Sequence, residues 1–215
     1  MAIRPWSEKI WFSPSYVINE LASGVANGHA HKIKRLKEAW ICAVAMICRS
    51  KVEGDEWWIQ IPKEDPPDVL TMRLVPTSDG QGQHLSELKV EVFEISEHDS
   101  EAVEKSIERK LKGKDYSGMV VIGFLRRKGD FDHEAVANHI KKCRPMAGSV
   151  NLIAFEKVGS TNTTFIQLFP EVVKFKADFG AFCKTTSQKD FIDMRRGTKT
   201  IIDPGETTDR LTIVP

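Results

Sequence analysis

Leu88 to Ile95, Ser100 to Lys112 and Met119 to Leu125 read in succession as strand, helix and strand, and this step constrains the fold more than any other part of the chain. In the helical segment Val103, Ile107 and Leu111 recur at i, i+4 and i+8, acids fill the first turn, and Ser100 is placed to cap it. Met119 to Leu125 is apolar without interruption, the pattern of a strand covered on both faces. A strand that leads through a helix into a second strand implies a parallel crossover, and hence an α/β architecture with a mixed sheet.

The flanking segments extend this pattern. Ser15 to Leu21 reads as a short helix after Pro14, and Gly24 to Gly28 as a break. From about His31 to Arg49 the positions Ile33, Leu36, Trp40, Ala43, Val44 and Ile47 recur at helical spacing. A second strip, Ile41, Cys42, Ala45 and Cys48, makes the end of this helix apolar nearly all round, which predicts a central helix packed on more than one side. Trp57 to Ile61 and Val69 to Val75 read as strands, separated by the turn Pro62 to Pro67. Pro76 to Glu87 reads as a polar loop before the third strand. Later, Asp132 to Cys143 reads as a helix, and Val150 to Val158 with Thr163 to Phe169 as a hairpin around Gly159-Ser160. The expected organisation is one α/β domain over residues 1–184 and an extended, partly wrapped tail over 185–215.

A chain of 215 residues can bury one core without staples. Its four cysteines show no CxxC spacing, so reduced thiols are expected. The apolar stretch Ala39 to Cys48 is too short to span a bilayer, and the N-terminus lacks a signal-peptide core, which points to a soluble cytoplasmic protein. The formal charge of +1 gives no overall argument for nucleic acid. Basic clusters do occur, at Lys32 to Lys37, Arg109 to Lys114, Arg126 to Lys128, Lys141 to Arg144 and Arg195 to Lys199, and their convergence would create a phosphate-binding surface. No nucleophile elbow, P-loop or dinucleotide glycine pattern is present.

The chemistry-bearing feature is a pair of acids in β-rich runs: Asp68 in Pro67-Asp68-Val69-Leu70, and Glu91 in Lys89-Val90-Glu91-Val92-Phe93-Glu94-Ile95. A lone carboxylate in a half-buried strand is costly unless it is paired, hydrogen-bonded or bound to a metal. Strand alternation puts Lys89, Glu91 and Phe93 on one face and Val90, Val92 and Glu94 on the other. If Asp68 approaches Glu91, the two carboxylates and the Val92 carbonyl form an oxygen ligand set suited to Mg²⁺ or Mn²⁺. Purely structural explanations remain open: Asp68 bonding its local backbone at a strand entrance, and Glu91 pairing with Arg73 or Lys89.

On these residues and the order helix, three-stranded meander, helix, strand, the segment from about His31 to Leu125 resembles the PD-(D/E)xK nuclease-like superfamily, the restriction-endonuclease fold. The resemblance implies a sandwich with a central mixed sheet flanked by helices, its core over about 31–169. It also implies an Asp opening the second strand and a Glu-x-Lys on the third, matched here by Pro67-Asp68 and Glu91-Val92-Phe93. Phe93 stands where the family has its lysine. Two replacements are conceivable: Lys110 from the following helix, which is preferred, and Lys89 on the Glu91 face. Glu38 resembles the helical Glu that some members add as a third acidic ligand, and its competing role is an i, i+4 partner of Lys34. The implied activity is Mg²⁺- or Mn²⁺-dependent hydrolysis of DNA phosphodiester bonds, with a homodimer by analogy. The alternative is a catalytically inactive binding module on the same scaffold, contacting nucleic acid or a protein partner.

Two other groups complete the reading. His29-Ala30-His31 has metal-like spacing without a third ligand nearby, and His84, His98, His133 and His139 are expected on the surface. Trp6, Trp11, Phe12, Trp57 and Trp58 either pack the N-terminal segment against the first strand or stay exposed to stack on bases or anchor a partner.

Overall fold

The computed structural model describes residues 10–22, 34–63, 66–76, 83–126, 131–157, 159–186 and 188–193. They form an α/β structure built on a nine-stranded mixed sheet. Chain order begins with β1 (Ile10–Phe12), α1 (Pro14–Tyr16) with a π-helical turn at Val17–Leu21, and α2 (Lys34–Glu53). The meander β2 (Trp57–Gln60), β3 (Val69–Pro76) and β4 (Gln83–Ile95) follows, then α3 (Val103–Leu111), β5 (Tyr116–Leu125), α4 (His133–Lys142) and β6 (Ala147–Phe155). The remainder is β7 (Asn162–Phe169), β8 (Val173–Asp178), α5 (Phe179–Thr185) and β9 (Phe191–Asp193). Across the sheet the order is β8-β7-β6-β5-β4-β3-β2-β1-β9. The pairs β4 with β5 and β5 with β6 are parallel, joined through α3 and α4, and the others are antiparallel.

Each face of the sheet has its own apolar layer. On one side α2 packs against Val69, Val90, Val92, Ile122 and Ile153. Every residue from Glu38 to Cys48 is buried, which is the all-round burial expected of a central helix. On the other side Val103, Ile107 and Leu111 of α3 and Val136, Ala137 and Ile140 of α4 cover Ile95, Val121, Leu125, Leu152 and Ile166. A third cluster, Trp11, Trp58 and Met72 with Leu70, Leu85 and Ile192, lies toward the β9 end of the sheet. Among the described residues no helix is long and apolar enough to cross a membrane.

Several boundaries differ from the sequence expectation. The third strand starts at Gln83, inside the segment read as a loop, because Gln83 to Val90 pair rung by rung with Val69 to Pro76. Its apolar share there is small, and cross-strand hydrogen bonding carries the ladder. Ser100 does not cap α3: the N-cap is Ala102, which makes no side-chain cap hydrogen bond. The Asp99 carboxylate accepts instead from the Ser96 backbone N–H at 3.0 Å, closing a turn upstream. Two three-residue strands, β1 and β9, pair with each other at one edge, and β9 falls in the segment expected to be an extended tail. His29, His31, Trp6, the break at Gly24 to Gly28 and residues 194–215 lie outside the described residues. Trp11, Phe12, Trp57 and Trp58 are all buried, so these four serve packing and are not exposed for base stacking.

All four cysteines are free thiols. Burial pushes the thiol of Cys42 far above its ordinary range and that of Cys48 up to about 12.

Candidate functional site

The β3–β4 ladder brings the two acids to the same end of the strand pair. Val69 pairs with Val90 and Leu70 with Lys89, and Asp68 sits in the bend just ahead of this ladder. Asp68 is 5 % exposed, and its Oδ2 accepts a 2.8 Å hydrogen bond from the Val92 backbone N–H. That donor is 24 residues away in the chain, so Asp68 tethers two strands in addition to any local role at the strand entrance. Within a strand the N–H and C=O of one residue point to the same edge. The Val92 carbonyl therefore lies on the Asp68 side of β4.

Helices bring the remaining side chains to this rim. Glu38, buried in α2, pairs with Lys34 one turn earlier at 3.2 Å, and the Lys34 ammonium also lies 4.0 Å from Asp68 Oδ1. From α3, Lys110 Nζ reaches to 3.8 Å from Glu91 Oε1 and sits 5.8 Å from the centroid of the Phe93 ring. Both approaches to the strand acids exceed hydrogen-bonding distance, so they act as ion pairs across a short gap. Lys89, exposed on β4, shares the Glu91 face and lies across from Leu70. Arg73 does not face Glu91. It pairs with Glu53 and Asp55 on the α2 side of the sheet, because residue 73 has the parity of Val69. Glu94, on the face opposite Glu91, pairs with Lys37 and Arg126.

Phe93 owes its placement to Gly123. A Cβ at residue 123 would stand 2.8 Å from Phe93 Cζ and 2.7 Å from Leu152 Cδ2, so only glycine lets the ring lie over β5.

Tyr116, which opens β5, also belongs to this neighbourhood. Burial holds its phenol above the usual range, and the negative charges of Glu91 and Asp68 add to the effect, opposed by Lys114. Sequence reading passed over it, because the apolar run that marks β5 begins three residues later at Met119. A second group was also missed. Glu108 of α3 and His139 and Cys143 of α4 place one ligand atom each within 4.8 Å of one another. The i, i+4 spacing of His139 and Cys143 was its only local signal.

The role of Asp68 as a strand tether has a measurable consequence. Asp68→Ala removes the acceptor for a buried backbone N–H and is expected to cost about 1–3 kcal/mol, whereas Asp68→Asn keeps an acceptor oxygen and should stay within about 1 kcal/mol of the parent. Urea denaturation of the two variants checks this, and equal losses would rule out the tether.

Asp68 is thus held by the Val92 N–H and lies near Lys34, the ion-pair partner of Glu38 in α2, while Glu91, the residue before Val92 on β4, is approached by Lys110 of α3. Compared with family models, curated proteins and solved structures, the chain matches none.

Proposed function

We propose that this protein is a metal-dependent, nuclease-like enzyme that hydrolyses DNA phosphodiester bonds. The observation that carries the reading is the approach of Lys110 to Glu91 beside Phe93, with the Asp68 carboxylate bonded to the backbone N–H of the next residue, Val92. The order α2, β2-β3-β4 meander, α3 and β5, with β4 parallel to β5, is that of the restriction-endonuclease-like sandwich. This agreement supports the fold assignment.

The donor set fits a hard dication. Asp68, Glu91 and Glu38 supply carboxylate oxygens and Val92 a carbonyl, with neither sulfur nor imidazole among them, the chemistry preferred by Mg²⁺ and Mn²⁺. When bound, such an ion supplies Lewis acidity toward a phosphate oxygen and acidifies a coordinated water. The protein's own contribution is positional and electrostatic. Val92 N–H fixes one Asp68 oxygen, leaving the orientation of the carboxylate set by the sheet. Lys110 takes the part of the absent strand lysine, holding a positive charge beside Glu91 to orient an attacking water and offset negative charge building on the phosphate. Lys112 and Lys114, exposed on the turn after α3, extend the positive surface toward the DNA backbone.

The test is cleavage of supercoiled, linear and single-stranded DNA with Mg²⁺ or Mn²⁺ by the parent, Asp68→Asn and Glu91→Gln. Metal-dependent cleavage lost in both variants is expected. Equal cleavage by the variants would remove the site from consideration.

One observation favours a second reading. Each strand acid has a lysine within 4.0 Å, and ion pairing can account for their placement without a metal. A non-catalytic binding module on the same scaffold would then contact nucleic acid or a protein partner, and absence of cleavage under every condition selects it.

A further inference from the structure

We propose that Glu108, His139 and Cys143 form a binding site for a transition-metal dication of the zinc class, which would join α3 to α4 on the helical face of the sheet. The site is separate from the Asp68 and Glu91 rim and does not rest on the nuclease reading. Its three ligand atoms, a carboxylate oxygen, an imidazole nitrogen and a thiol sulfur, all lie within 4.8 Å of one another. Around a tetrahedral zinc the ligand atoms are about 3.3–3.8 Å apart, given bonds of about 2.0–2.3 Å. Small side-chain rotations close that difference. His139 Nε2 is already 2.9 Å from Glu108 Oε2.

The helices hold these residues in place. Cys143 is the C-cap of α4, and its backbone N–H donates to the carbonyls of His139 and Ile140 at 3.2 and 3.1 Å. That cap stacks Cys143 one turn beyond His139 on the same helix face. Glu108 is fixed from the other side, since Ile107 and Leu111 of α3 and Val136, Ala137 and Ile140 of α4 share one apolar layer. The ligands therefore come from two packed elements, and their separation is set by core packing.

Chemistry and exposure select the ion. Cysteine is among the most frequently buried residue types, yet Cys143 is exposed, beside a half-buried His139 and Glu108. An ion arriving from solvent meets three ligands on one open side, and water completes the tetrahedron. One sulfur, one nitrogen and a single oxygen disfavour Mg²⁺ and Ca²⁺, which require oxygen, and favour zinc or cobalt. Lys105 Nζ, 3.0 Å from Glu108 Oε2, supplies the competing positive charge. It is more than half exposed and can turn to water when an ion takes its place.

Cobalt(II) titration of the reduced full-length protein tests the proposal. Expected is one equivalent that carries the visible bands of tetrahedral cobalt and a sulfur-to-cobalt charge-transfer band, which distinguishes it from any cobalt held by oxygen ligands alone at the Asp68 and Glu91 rim. Cys143→Ser should abolish the charge-transfer band. His139→Ala and Glu108→Ala should each weaken binding at least about tenfold, the smaller loss usual for a residue only supporting a metal site. His29→Gln/His31→Gln should bind as the parent does, and circular dichroism verifies that each variant is folded. No charge-transfer band with cobalt in excess, its survival in Cys143→Ser, its loss in the His29/His31 variant, or parent affinity in either alanine variant would overturn the site.

Discussion

Lys110→Met is expected to reduce the proposed DNA cleavage by about a hundredfold to a thousandfold, the loss typical when one preorganised charge-stabilising group is removed, and Lys110→Met/Phe93→Lys is expected to recover part of it. Phe93 and Glu91 share a face of β4, and the Lys110 ammonium stands 3.8 Å from Glu91 and 5.8 Å from the Phe93 ring centroid. A lysine grown from residue 93 would deliver its ammonium to the same neighbourhood, so the charge can change its backbone anchor without leaving the site. Methionine at 110 keeps most of the apolar length of the lysine stem, which separates loss of charge from loss of packing. The lysine at 93 is also sterically tolerable, because its slender stem needs less room over Gly123 than the ring does. Single-turnover cleavage measures the effect, and thermal unfolding shows that both variants remain folded. A Lys110→Met protein that cleaves like the parent would remove Lys110 from the chemistry. A double variant as slow as the single one would show that residue 93 cannot replace it.

The same residues show what the sequence could and could not disclose. The face shared by Lys89, Glu91 and Phe93 was legible because strand alternation is a period of two, whereas Asp68 precedes the ladder and its bond to Val92 is a tertiary contact. That Lys110 rather than Lys89 approaches Glu91 depended on how α3 packs over β4, a tertiary distance that no local pattern encodes. The central burial of α2 was legible in its two apolar strips, whereas β1 and β9 were not, since three residues are too short for any periodicity. The start of β4 was hidden for another reason. From Gln83 to Leu88 the apolar residues are Leu85 and Leu88, three positions apart and so on opposite faces, and composition resembled a loop while the hydrogen-bonded ladder made a strand. Glu108 and His139 lie 31 positions apart, and only the docking of α3 on α4 unites them.

Trp57→Ala is expected to destabilise the fold by about 3–5 kcal/mol, a large part of the roughly 5–15 kcal/mol available to a domain. Trp57 is fully buried between β2 and α2. Its ring is covered by the guanidinium groups of Arg49 and Arg73, at 4.8 and 5.2 Å from the centroid. Those arginines converge on Glu53, Arg49 at 2.8 Å and Arg73 at 3.4 Å, so the indole supports a charged lid over the end of α2. Truncation opens a cavity and removes the surface on which both cations rest, each contact worth about 0.5–1 kcal/mol. Trp57→Phe should behave differently. Among the described residues the indole Nε1 is buried without a hydrogen-bond partner, and burying such a group itself costs about 1–3 kcal/mol. Phenylalanine discards that penalty while keeping an aromatic face under the arginines, so the two effects oppose and the net loss should stay below about 2 kcal/mol. Urea denaturation with an unchanged slope checks both values. A loss below about 1 kcal/mol for Trp57→Ala would mean that the layer between α2 and β2 collapses around the vacancy, and that burial of this side chain does not measure its contribution.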